Sequence, residues 1–366
     1  MATQSLGVIL VDTGIPSVLD AKEARKYLYA YKLYTRVTPV NKPIWFFAPA
    51  SAMALICLVI IFAQGTLPSF LIFFGITLLF AALGGASVFI KKVLEKYRHI
   101  WLNDESSYAA RHETIVTSLN EAFEEEQMEA CAKVAYAYSH PTIEEIMQDL
   151  RDEEIKNLVV LPLCPQSSYA RTSVIKEALE RSVKKLEWSR PITFVDNYHN
   201  NPTYIKAVSG SIRYAGFDHE SDDRLLFSYE SVLLSDIVAG DTFELQTGAT
   251  SLQVASDLDL ERNRWTIGYQ NRYAKKRKWL APFTSSVLSR WAEGGEGKVY
   301  VVCPGYAIDN VETSVNVGTK LKQQYIQNAA KYDKQLTEDD FVYIPCLNES
   351  KAHVNVLLDV IKSTVK

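Results

Sequence analysis

Cysteine is scarce and scattered. The 366-residue chain has five, Cys57, Cys131, Cys164, Cys303 and Cys346, and no two form a CxxC pair. Zinc-finger and thioredoxin-type sites are thereby excluded, and the pattern fits a reducing compartment, where disulfide frameworks are rare. Glycine (16 residues) and proline (13) are too few for a collagen-like or low-complexity chain. No internal repeat or biased linker interrupts the sequence. Net charge is small as well: −4 at pH 7 supplies no general attraction to nucleic acid, which is not an expected partner. What is left has 48% hydrophobic and 22% charged residues, ordinary for a globular protein, over a length that suits about two domains of ~150 residues.

One absence is local. Residues 43–90 contain no Asp, Glu, Lys or Arg. Segments 44–63 and 70–90 each reach the roughly 20 apolar residues of a membrane-spanning helix. The intervening 64–69 contains Gly65 and Pro68 and suits a turn. Lys32, Arg36 and Lys42 precede the run and Lys91, Lys92, Lys96 and Arg98 follow it, so both flanks are expected on the inner, positive side. The run starts too late for a signal peptide. The expectation is an integral membrane protein in which a two-helix transmembrane hairpin inserts into the lipid bilayer and the body lies on the inner side. The small residues Gly84-Gly85-Ala86-Ser87 suit close helix packing against other membrane subunits or a second copy. The basic stretch Lys275-Lys276-Arg277-Lys278 reads either as a solvated loop or as a contact for anionic headgroups or an acidic subunit.

Outside that run, short apolar stretches alternate with helical patterns. Strands are expected at 7–12, 133–138, 158–163, 192–197, 224–229, 266–270, 298–303 and 341–345, rich in Val, Leu and Ile without alternation, as parallel strands covered on both faces require. Helices are expected at 107–126, 142–152, 172–186, 202–214, 283–292 and 311–331. The resulting fold class is α/β, with two doubly wound parallel-sheet halves plus the inserted hairpin. The first half would comprise 1–42 and 91–187, the hairpin 43–90, the second half 188–345, and a C-terminal helix in 346–366 would pack back on the body. Ligands in such folds bind at the carboxyl ends of the strands, so the segments just after strands carry the functional reading.

Three of those segments are Leu161-Pro162-Leu163-Cys164-Pro165-Gln166-Ser167-Ser168, Cys303-Pro304-Gly305-Tyr306-Ala307-Ile308-Asp309-Asn310-Val311-Glu312-Thr313 and Pro345-Cys346-Leu347-Asn348. In this order they resemble the LPLxPQxS, CPGFxxDxxET and PCLN motifs of ferrochelatase, which inserts iron into a porphyrin to make haem. Further pieces agree: Val8-Ile9-Leu10-Val11-Asp12-Thr13-Gly14-Ile15-Pro16 is similar to VLLxNxGxP, Glu95-Lys96-Tyr97-Arg98-His99-Ile100-Trp101 to EKYxxIW, and Trp279-Leu280-Ala281-Pro282-Phe283-Thr284 to WLxPxT. The resemblance covers nearly the whole chain outside the hairpin. It implies two Rossmann-like halves around a porphyrin cleft, with the hairpin expanding a segment at the cleft mouth. It also implies that Tyr138, Ser168, Tyr229, Pro304 and Gly305 line that cleft.

Metal insertion needs two pyrrole protons removed, a task for a neutral imidazole and an opposing carboxylate. The family supplies these from an FSxHGxP loop and from the Glu of CPGFxxDxxET. Here the loop reads Phe227-Ser228-Tyr229-Glu230-Ser231-Val232-Leu233: the histidine position holds Glu230, while the opposite carboxylate is kept as Glu312. The remaining histidines, His99, His112, His140, His199, His219 and His353, fall in other motifs or on predicted surfaces. The family's tyrosines in LPLYPQYS are Cys164 and Ser167, the second acidic position after its ET is Asn316, and Asp309 with Glu312 stands where helix-start roles such as capping are expected. Glu230 and Glu312 are accordingly the candidate catalytic and metal-binding residues, with porphyrin or haem and ferrous iron as candidate ligands. Too few cysteines lie near the C-terminus for the iron–sulfur cluster of some family members. The favoured expectation is a catalytically degenerate homologue with an accessory role in a membrane complex; the alternative is an active ferrochelatase using Glu230 and Glu312. The resemblance implies the mitochondrial inner membrane, matrix side, for a eukaryotic source and the cytoplasmic membrane for a bacterial one.

Overall fold

The first strand shows why the sheets are parallel and covered on both faces. In the computed structural model β1 spans Leu6–Asp12, and six of its seven residues are buried. A strand with no polar face has to lie between two layers of helix. The description covers residues 5–16, 18–34, 91, 94–95, 97–102, 105–153, 155–270, 277–294 and 298–365. The chain divides into two compact units, Met1–Ile15 with His99–Lys366, and Pro16–Arg98. In the smaller unit, helix α1 (Ala21–Tyr34) starts on Asp20, whose Oδ1 accepts the N–H groups of Lys22 and Glu23 at 2.7 and 2.8 Å.

The larger unit holds two parallel sheets. A short ribbon of β2 (Trp101–Leu102) and β3 (Glu105–Ser106) leads into the first. That sheet has the order β4-β1-β5-β6, with β4 at Ala130–Tyr136, β5 at Asn157–Pro162 and β6 at Ile192–Phe194. The second has the order β10-β9-β7-β8, with β7 at Arg224–Tyr229, β8 at Trp265–Tyr269, β9 at Val299–Val302 and β10 at Phe341–Ile344. Helices α2 (Ser107–Glu125), α3 (Ile143–Asp152) and α4 (Thr172–Leu186) accompany the first sheet. With the second come α5 (Pro202–Tyr214), α6 (Leu234–Val238), α7 (Phe243–Asp257) and α8 (Thr284–Gly294). A π-helix, Val311–Leu321, then runs into α9 (Lys322–Ala330), and α10 (Lys351–Thr364) closes the chain.

Local chemistry fixes the helix starts. The Thr142 hydroxyl accepts the Glu145 N–H at 3.3 Å while Glu145 accepts the Thr142 N–H at 2.7 Å, a reciprocal cap on α3. Asn201 caps α5 just before Pro202, whose missing N–H costs nothing in the first turn. Asn201 and Thr203 also donate to Asp359, tying α10 to α5. One core packs Ile9, Val11, Met147, Leu150, Leu158, Val160 and Ile175 together; the other packs Leu226, Val287, Val299, Val301, Tyr325 and Phe341.

Several expectations change. Strand β6 pairs with β5, so the first sheet extends past the boundary placed at residue 187. The helix expected over 311–331 opens as a π-helix. Helix α7, absent from the sequence reading, buries Gln246, Thr247, Thr250 and Ser251 between Phe243 and Val254–Ala255 while Leu245 and Leu252 are exposed, so no continuous apolar stripe marks it. Among the described residues no helix is long and apolar enough to cross a membrane. The integral-membrane location, mitochondrial or cytoplasmic, is corrected on that finding; the hairpin expected at 43–90 lies outside the described residues.

The two layers of the second sheet meet closely at Gly268. A Cβ there would stand 2.8 Å from the Thr284 Cα and 2.9 Å from its Oγ1. Because a backbone atom cannot rotate away, Gly268→Ala should destabilise the protein by about 1–3 kcal/mol. Urea unfolding checks this, the expected outcome being a lower midpoint at an unchanged slope.

Candidate functional site

The loop after β5 is the frame of the site. The Ser168 hydroxyl accepts the Arg171 N–H at 3.2 Å, and the Ser168 N–H donates to Thr172 Oγ1 at 3.2 Å, so the chain turns sharply into α4. The same loop is fastened to the polar face of α7 and the turn before it. Ser167 N–H donates to Gln246 Oε1 at 2.7 Å, Gln166 Nε2 to Thr250 Oγ1 at 3.1 Å, and Tyr169 N–H to Asp241 Oδ2 at 2.8 Å. Loops following strands of both sheets are thus held together, and their polar residues gather at the carboxyl ends.

Glu230 follows β7. Its Oε2 meets the Arg171 Nε at 2.6 Å, and the two side chains are 13% and 14% exposed. The guanidinium carbon lies 4.6 Å over the Tyr306 ring, and Arg171 Nη1 donates to the Gly305 carbonyl at 3.4 Å. Arg171 is firmly cationic: burial opposes its charge, but Glu230 foremost, with Tyr306, holds its pKa well above the ordinary value. Burial raises the Tyr306 phenol well above its usual range, Glu230 and Glu312 add to the rise, and Arg171 opposes it. That hydroxyl has no hydrogen-bond partner among the described residues. Tyr229 is fully buried and shares a 2.9 Å hydrogen bond with Ser251. Gly305 permits the approach of these rings, since a Cβ there would meet Tyr229 Cδ1 at 3.2 Å.

Glu312 stands in the first turn of the π-helix, where carboxylates are favoured by the backbone dipoles. Asn310, rather than Asp309, caps this helix: its Oδ1 accepts the Glu312 N–H at 2.8 Å and the Thr313 N–H at 3.3 Å. Asn316 Nδ2 donates to Glu312 Oε2 at 2.6 Å. Asp309 is a structural tie, accepting from the Tyr343 hydroxyl, Cys346 N–H, Asn348 Nδ2 and Thr313 Oγ1. Such π-turns are rare and recur at functional sites.

The sequence-derived residues divide. Ser168, Tyr229, Gly305 and Glu230 gather around Arg171 and Tyr306 by the contacts above, while Glu312 lies in the π-helix six residues beyond Tyr306. Pro304 braces the same loop, its carbonyl accepting the Tyr204 hydroxyl at 2.6 Å. Tyr138 follows β4 beside the loop after β1, its N–H donating to the Thr13 carbonyl. Cys164 is buried, its thiol pushed up by burial, and acts as a small apolar residue. Among the described residues no three His, Cys, Asp or Glu converge to hold a metal ion.

Arg171 and the Asp12–His112 pair were missed in the sequence. Neither His112 nor His353 is a surface residue; they are 1% and 2% exposed. His112 Nε2 lies 3.3 Å from Asp12 Oδ2 and Nδ1 lies 2.7 Å from the Tyr108 carbonyl. Both ring nitrogens thus face hydrogen-bonding oxygens, and the ring ties α2 to the end of β1. An aspartate closing a strand one hundred residues before a histidine carries no spacing signal; only the fold joins them.

Two parallel-sheet α/β halves with functional loops at their strand ends define a chelatase-like protein. The structure is similar to that of SirB from Bacillus subtilis with Fe3+, at a TM-score of 0.51 and 12% identity, covering 69% of this chain and 89% of that one. By sequence, the chain is 26% identical to a coproporphyrin III ferrochelatase of Streptococcus mutans over 361 residues, 99% of each protein. It is 24% identical to a ferrochelatase of Nitrosococcus oceani over 361 residues, 99% of this chain and 87% of that protein. The ferrochelatase family profile matches residues 85–365. The chain belongs to the ferrochelatase family.

The buried pair has a pH consequence. Burial pushes Asp12 up, but the hydrogen bond and charge of His112, with Arg171 and the Thr13 N–H, outweigh it and lower the pKa from 3.8 to about 2. A depressed carboxylate stabilises the fold fully above its unfolded pKa and loses that stabilisation as pH falls through the folded value. The contribution at neutral pH is about 2 kcal/mol. Asp12→Asn should therefore be less stable than the parent at pH 6, with the gap shrinking steadily between pH 4 and pH 2 in denaturant titrations. A gap that is constant over this range excludes the pair as its source.

Proposed function

We propose that this chain inserts ferrous iron into a porphyrin, with Glu230 and Glu312 as the carboxylates that receive the two pyrrole protons and guide the dication. The reaction is an exchange: M2+ enters the ring nitrogens and two protons leave, with no change of oxidation state. The observation that supports the reading is Glu230 directly after β7, paired with an arginine stacked over Tyr306, with Glu312 in the first turn of the helix that follows β9. That is where open α/β sheets bind ligands. The relatives named ferrochelatase support insertion over the accessory, catalytically degenerate role that the sequence favoured. Iron is the substrate here, so a sparse donor set is suited to it: the ion must pass on to four ring nitrogens.

A second reading, a degenerate site, draws on one observation. Glu230 occupies the position of the family's histidine and is closed by a guanidinium at 2.6 Å. The discriminating experiment is anaerobic insertion with ferrous ion, and zinc as a control, into coproporphyrin III and protoporphyrin. Turnover by the unmodified chain is expected, and Glu230→Gln and Glu312→Gln should each lower kcat by about 10²–10⁴-fold. Absence of turnover with both porphyrins, in a chain that is folded by circular dichroism, establishes the degenerate reading instead.

A further inference from the structure

We infer that Arg171 is an internal counter-cation which the incoming metal ion displaces from Glu230, so that it gates metal entry. This rests on the chelatase reading above and deepens it. The geometry is that of a cation already seated where a dication would go. Arg171 Nε touches Glu230 Oε2 at 2.6 Å, and both side chains keep 13–14% of their surface open to solvent. The guanidinium is held from below by the Tyr306 ring at 4.6 Å and from the side by the Gly305 carbonyl at 3.4 Å. The hydroxyl of that same tyrosine is buried without a hydrogen-bond partner among the described residues.

A guanidinium released from Glu230 stays within the field of Asp12, which closes β1. A dication at Glu230 takes the place the guanidinium holds there, and repulsion between the two cations then favours Arg171 away from the carboxylate. When the ion passes into the porphyrin, the guanidinium returns to Glu230. Arg171 is a positioning residue in this scheme, touching the carboxylate and never the reacting ring. Its guanidinium also suits the task better than an ammonium, because its planar face stacks on Tyr306 while its edge pairs with the carboxylate.

Zinc binding to the full chain without porphyrin tests this by titration calorimetry. Arg171→Met removes the competing charge at similar length. An ion that binds only the fraction of molecules with Glu230 uncovered binds more weakly in proportion, so the variant should take up zinc about tenfold more tightly or better. The gain should vanish in Arg171→Met combined with Glu230→Gln. Unchanged or weaker binding in a folded Arg171→Met chain overturns the proposal. Should that variant not fold, the wild-type chain serves: zinc is expected to shift the Arg171 Nε–H resonance in 15N spectra, and an unmoved resonance at saturating zinc overturns it equally. A chain that inserts no metal yet shows this competition refutes the insertion reading alone; an active chain whose zinc binding ignores Arg171 refutes only the exchange.

Discussion

Parallel strands buried on both faces leave the chemistry one place to go. Along β1, β5, β7 and β9 nearly every side chain is buried, so polar residues gather where the strands end. Asp12 closes β1, the Ser168–Thr172 turn follows β5, Glu230 follows β7, and the Cys303–Asn310 loop follows β9. The hydrogen bonds from the β5 loop to α7 then decide how those ends face each other. Helix α7 spends its buried face on Gln246, Thr247, Thr250 and Ser251, and two of these hold the loop that carries Arg171.

Glu230 puts negative charge near the buried Tyr306 phenol, which costs several kcal/mol if left alone. Arg171, on a loop of the first sheet, supplies the compensating charge to Glu230, on a loop of the second. The pair thereby couples the two sheets through the site itself. Tyr306 adds a stacking face, and Gly305 keeps the floor thin enough for Tyr229 to approach. Glu312 accepts a hydrogen bond from Asn316 Nδ2 at 2.6 Å, while Glu230 pairs with Arg171 at 2.6 Å.

Rigidity is distributed unevenly around this site. Asp309 draws in the Tyr343 hydroxyl, Cys346 N–H and Asn348 Nδ2, locking the β9 loop to the segment after β10. The π-helix starts directly beyond that lock, and its wide turns carry Glu312. A π-turn is less favourable per residue than an α-turn and persists where the surroundings hold it. Here the Asn310 cap does so at one end and the continuation into α9 at the other.

Strand and helix positions were legible in the sequence wherever burial is apolar: 224–229 and 172–186 match β7 and α4 residue for residue. The resemblance to the family's motifs brought Ser168, Tyr229, Gly305, Glu230 and Glu312 forward as candidates, all at the end of β7 or in the segments after β5, β7 and β9. Helix α7 was invisible, since polar residues fill the middle of its buried face, and so was the ownership of β6, since three residues carry no pairing preference. The charge-free run at 43–90 is a property of composition alone and carried the membrane expectation too far; among the described residues no helix supports it. Composition and periodicity determine which residues must be hidden, and that suffices for the sheets. Which charges meet is settled only in three dimensions: Arg171 and Glu230 lie 59 positions apart, Asp12 and His112 one hundred, and Coulomb attraction depends on distance through space rather than along the chain.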